Sequence, residues 1–184
     1  MTDFSPARAV GLAGLLMILA LPASQAAAQA APRLDPVIAP IGFLVGDWTS
    51  GAGKVADTGG TSTGSSRVTI EAGGGALLRR DHTELRDAAG KPAGGFEQVM
   101  LIYDEAGALH ADYSDGTHVI HYRTATVTPG QAVVFTSAGP AGAPVFRLSY
   151  ALDGPDRLTV DFAMAPPGQT EFHPIASGSL VRGR

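Results

Sequence analysis

His110, Asp112 and His121 place two imidazoles and a carboxylate within a dozen residues. That is a donor set suited to Zn²⁺ or another divalent cation. Interleaved with them are Tyr113, His118 and Tyr122. Two phenols and an imidazole on an otherwise apolar wall suit a pocket that orients one polar group of a ligand. Gln98 lies in the run Phe96, Gln98, Met100, Ile102, whose alternation turns its amide inward, where it needs a partner. His173, near the start of the last apolar run, is a candidate haem ligand. Catalytic signatures are absent: there is no Gly-x-Ser-x-Gly, no His-Glu-x-x-His and no phosphate-binding loop. Gly73-Gly74-Gly75 falls between two strand-like runs rather than before a helix, so it is no phosphate cradle. The residues favour a binding protein over an enzyme.

The element that must position the first two groups is a hairpin. Asp115-Gly116 reads as a two-residue turn, which pairs Ser114 with Thr117, Tyr113 with His118 and His110 with His121. Alternation then puts Leu109, Ala111, Tyr113, His118, Ile120 and Tyr122 on an inward face. His110, Asp112, Val119 and His121 share the outward face, with the two opposed imidazoles about 5 Å apart at Cβ. On the run 75–85, Arg79, Asp81 and Thr83 share one face. Arg80, His82 and Glu84 share the other with Leu78, a row that reads first as a wet outer surface and second as a polar interior cluster.

The rest of the chain has the same texture. Short apolar runs near 47–55, 64–72, 75–85, 95–103, 107–114, 117–127, 131–137, 144–152, 157–164 and 170–182 are separated by turn residues. The 24 Gly and 13 Pro fall between those runs, so they punctuate strands rather than signal disorder. The expected fold is all-β: a single antiparallel up-and-down barrel of about ten strands, closed so that no edge is exposed. Val37 to Leu44 is expected to form one or two helical turns interrupted at Pro40.

Residues 1–30 read as a secretory signal. Arg8 lies in the n-region, Ala9–Leu21 is the apolar run, and Ala28-Gln29-Ala30 is a small-x-small cleavage pattern. The run is shorter than the roughly 20 residues a spanning helix needs, so no transmembrane segment is expected in the mature chain. The barrel domain is then 31–184, in the periplasm or secreted. There is no Cys, so stability rests on an apolar core, and thiolate metal sites and thiol nucleophiles are excluded. The net charge of −4 and the lack of any basic run exclude nucleic acid as a partner.

Phe43-Leu44-Val45-Gly46-Asp47-Trp48 holds the only Trp, just after a Gly, at the start of the first strand. Together with Gly73-Gly74-Gly75-Ala76-Leu77, Ile102-Tyr103, Asp112-Tyr113 and the closing strand to Arg182, it resembles the exported domain-of-unknown-function 1579 type (DUF1579) and, more distantly, the nitrobindin-like barrels. The resemblance implies a ten-stranded lipocalin-like (calycin) barrel whose closed end is plugged by Trp48, with Arg182 stacked upon it. Nitrobindins hold haem through a late-strand His, for which His173 is the counterpart by position. The chain departs from them after the Trp, where Thr49-Ser50-Gly51-Ala52-Gly53-Lys54 replaces their Gly-rich repeat, and at Pro174.

The resulting expectation is an exported barrel, monomeric or weakly dimeric, that holds a small apolar molecule or lipid against Tyr113, His118, Tyr122 and Gln98. No cofactor is required by any motif. A haem- or metal-binding barrel with a redox or sensing role, through His173 or through His110, Asp112 and His121, is the second expectation. A filled barrel with a structural or partner-binding role is the third.

Overall fold

The computed structural model describes residues 33–55 and 58–183, so the proposed signal segment lies outside the described residues. Ten antiparallel strands follow one another: β1 (Gly46–Val55), β2 (Thr61–Glu71), β3 (Ala76–Arg86), β4 (Pro92–Glu105), β5 (Ala108–Ser114), β6 (Val119–Thr128), β7 (Ala132–Ser137), β8 (Val145–Leu152), β9 (Arg157–Ala165) and β10 (His173–Arg182). Each pairs with its chain neighbour, and β1 pairs with β10 to close the barrel. The alternating pattern carries over directly: in β3, Leu77 and Asp81 are buried while Arg80, His82 and Glu84 are exposed.

The 3-10 helix Ala39–Leu44 caps one end, with Ile41 and Leu44 facing the core. Pro40 sits in its first turn and starts the helix rather than interrupting one. The reason is that a first-turn residue has no intrahelical N–H bond to lose. Above this cap Ile38, Ile41, Leu44, Trp48, Leu77, Ile102, Val133, Phe135 and Leu158 form a dry core. Trp48 is fully buried, and its indole N–H donates to the Leu44 carbonyl at 2.8 Å. The Arg182 guanidinium lies 4.2 Å from the Trp48 ring and donates to the carbonyls of Val45 and Phe43 at 2.9 and 3.2 Å.

Two glycines let backbone segments meet at this end. Gly46 has φ +130, and a Cβ there would come within 2.9 Å of the Arg182 guanidinium. Gly74 has φ +110, and a Cβ there would strike the Arg33 carbonyl; its own carbonyl accepts from the Asp35 N–H at 3.0 Å. The glycine run thus seats the lead-in segment against the closed end. The opposite end carries the connections 87–91, 115–118, 138–144 and 166–172.

Candidate functional site

The register of β3 against β4 determines what lies in the middle of the barrel. Arg79 faces Met100 and Asp81 faces Gln98 across the ladder, with Thr83 opposite Phe96. All six lie on the inward face. An arginine and an aspartate are therefore carried into the interior by the same alternation that buries Leu77.

Arg79 is neutralised there. Its Nε donates to Asp81 Oδ1 at 2.9 Å and its Nη2 to Asp81 Oδ2, a two-pronged pair. Nη1 donates to the Tyr150 hydroxyl and reaches the Met100 sulfur at 3.6 Å, and Nη2 reaches Gln98 Oε1 at 3.3 Å. Gln98 in turn donates to Thr83 Oγ1 at 3.4 Å. Burial opposes the guanidinium charge, but Asp81 and Tyr150 outweigh it and hold Arg79 firmly protonated.

Above this floor lies a cavity of about 400 Å³. Leu85, Phe96, Leu148, Val160, Phe162 and Ile175 give it apolar walls, and Ser50, Ser62, Gly64 and Ser66 line the β1–β2 side. Tyr113, Tyr122 and Tyr150 contribute three phenols. Burial pushes all three up, Tyr113 to about 12 with help from the charge of Asp115. They are protonated donors throughout the physiological range.

A closed ring of ten strands, each next to its chain neighbour, wrapped around a cavity and plugged at one end, is the deciding arrangement. Among solved structures the chain is similar to the S-type phycobiliprotein lyase CPES from Guillardia theta, with TM-score 0.50 and 12% identity over 77% of this chain and 89% of that one. The fold is calycin-like. A redesigned β-barrel also matches, with TM-score 0.39 and 14% identity over 79% of this chain and 96% of that one. No family model and no curated protein matches the chain.

The calycin-like barrel brings Gln98, Tyr113 and Tyr122 together on the cavity wall, with His118 outside it. The cause is the hairpin turn. Ser114 pairs with Val119 and Asp112 with His121, so Gly116-Thr117, not Asp115-Gly116, forms the tip. Gly116 takes φ +84, as the first central residue of a type II′ turn does. Moving the tip by one residue shifts each partner by two and keeps every strand residue on its face. His118 becomes an exposed mouth residue, bonded through Nδ1 to Asp115 Oδ2 at 3.1 Å.

Asp115 organises that mouth. Its Oδ1 accepts from the N–H groups of Thr117 and His118 at 2.9 and 2.7 Å, and the Tyr113 hydroxyl donates to Oδ2 at 3.4 Å. Burial opposes the carboxylate charge, but the His118 and Thr117 N–H groups and the His118 ring prevail, bringing Asp115 down to about 2. The unfolded value is about 3.9. A depressed carboxylate stabilises the fold above pH ~4, and that contribution is lost as pH falls through about 2. Asp115→Asn is expected to give a shallower acid limb in urea midpoints measured across that window; an unchanged limb would assign the acid sensitivity to another group.

The register also separates the expected metal donors. Across β5 and β6 it is Asp112, not His110, that faces His121, and His110 packs against the ring of Tyr103, its partner on β4, at 6.0 Å. His121 Nδ1 bonds Asp112 Oδ1 at 2.6 Å. Arg123 Nη2 approaches the same nitrogen at 3.1 Å. Arg123 bonds Tyr103 Oη and pairs with Asp112, both at 3.0 Å, and Tyr103 donates to Asp112 Oδ2 at 3.0 Å. The result is an outer-wall network of Tyr103, Asp112, His121 and Arg123, and no metal-binding group of three donors occurs among the described residues.

His173 is exposed at the start of β10, opposite Met164, and is not part of the cavity lining. Its neighbours Phe172 and Pro174 line an outer recess of about 320 Å³, where Arg147 stacks on Phe172 at 4.2 Å. His82, at the cavity edge, turns its ring outward to Glu97 at 2.5 Å. The cavity thus presents no inward imidazole to a haem iron, and the residues do not fit that cofactor.

The residues that sequence reasoning missed are Arg79, Asp81 and Tyr150. The signal was present in β3, where Leu77 and Leu85 bracket Arg79, Asp81 and Thr83 at period two.

Proposed function

We propose that this chain is an exported calycin-like barrel of the domain-of-unknown-function 1579 type that carries one small, mainly apolar molecule in the periplasm. One observation carries the reading: a cavity of about 400 Å³ with apolar walls above a floor where the Arg79 charge is balanced by Asp81. That combination is the usual make-up of a small-molecule site, where apolar area gives affinity and a few polar groups give orientation. The likeness to a phycobiliprotein lyase supports the fold that such a cavity needs. Barrel closure removes the strand edges through which sheets associate, which supports a monomer or at most a weak homodimer.

Native mass spectrometry of the protein recovered from the periplasm of its source tests the reading. The expected result is an organic mass above that of the chain, released on collisional activation. A bare chain that also fails to enhance the fluorescence of an apolar dye would overturn it in favour of a filled, structural barrel.

A further inference from the structure

Two hydroxyls at the cavity floor have no protein acceptor among the described residues. Tyr122 is 1% exposed and lines the cavity, yet its hydroxyl has no hydrogen-bond partner among the described residues. Tyr150 is 3% exposed; its oxygen accepts from Arg79, and its own O–H finds no acceptor among the described residues. Both open onto the cavity, so their acceptor must come from whatever fills it. They flank β7, whose inward Phe135 packs against Tyr122 at 6.0 Å between ring centres.

Building on the cavity reading above, we infer that the ligand carries an uncharged carbonyl head, a ketone, ester or lactone, whose oxygen accepts from Tyr122 and Tyr150. A carbonyl oxygen has two lone pairs and takes both donors. The Arg79 contact polarises Tyr150 and makes it the stronger of the two. A carboxylate head is disfavoured. The guanidinium has already spent its N–H groups on Asp81, Tyr150, Gln98 and Met100, and its charge is balanced by Asp81. A second anion would also meet the charges of Asp81 and Asp115, which line the same cavity.

The test uses three probes of equal chain length: a medium-chain methyl ketone, the n-alkane and the fatty acid. Each is titrated into wild type and Tyr122→Phe. That variant removes one oxygen with no protein partner and is expected to fold as wild type does. The ketone should bind most tightly and lose roughly three- to tenfold in Tyr122→Phe, one net hydrogen bond, while the alkane is unchanged. The infrared carbonyl stretch of bound ketone should lie at lower frequency in wild type than in the variant. Tightest binding of the fatty acid, or ketone affinity and carbonyl frequency indifferent to Tyr122→Phe, would overturn the carbonyl assignment while leaving the cavity reading in place. Failure of all three probes to bind would overturn both.

Discussion

Replacing Asp81 with alanine is expected to lower the unfolding free energy by about 3–5 kcal/mol, the cost of leaving a buried charge without its partner. Asp81 is 8% exposed and meets Arg79 through both carboxylate oxygens. Tyr150 and Gln98 cannot replace it, because neither carries the opposing charge. The Arg79→Met/Asp81→Ala double variant removes both ions and is expected to recover most of the loss, since an apolar replacement of a buried pair is often neutral. Urea midpoints at constant m-value read the difference. A loss below about 1 kcal/mol, the range of a solvated surface pair, would show that water entering the cavity screens the guanidinium.

Trp48→Ala is expected to cost a similar amount, about 3–5 kcal/mol, through the void left at the closed end. The indole fills the space between the 3-10 cap and the barrel, and its loss also leaves the Leu44 carbonyl without its donor. Arg182 loses the ring it lies over at 4.2 Å, a contact worth roughly 0.5–2 kcal/mol. Trp48→Phe keeps an aromatic plug and should cost less. The chain has a single Trp, so unfolding must be followed by circular dichroism rather than by indole fluorescence. Trp48 is not among the residues lining the cavity, so the folded fraction of either variant should bind ligand as wild type does. Parallel loss of binding would mean that the two ends of the barrel are coupled.

The barrel was legible because its signals are local. Turn residues fall between every pair of apolar runs, and the strand count and the inward run Phe96, Gln98, Met100, Ile102 follow from short-range pattern. The site was less legible because it depends on register. Asp115-Gly116 reads as the two-residue tip, yet the Asp115 carboxylate takes the Thr117 and His118 N–H groups and the tip lies one residue on. That single displacement separated His110 from His121 and put His118 at the mouth. Arg79 and Asp81 were passed over for a different reason. Composition says that charged residues stay outside, and only the ladder pairing with Met100 and Gln98 shows that these two satisfy each other within.

Closure through β1 and β10 also sets the order of assembly. Nine ladders join chain neighbours and can form as successive hairpins, whereas the last must bring Val45 and Arg182 together from 137 residues apart. The entropic cost of that loop falls on a single late event. Until it occurs, the nascent sheet presents β1 and β10 as open templates for other chains. Arg182 therefore acts as a latch in time as well as in space. Its bonds to Phe43 and Val45 tie the last strand to the segment that leads into the first, so they complete only when the barrel closes.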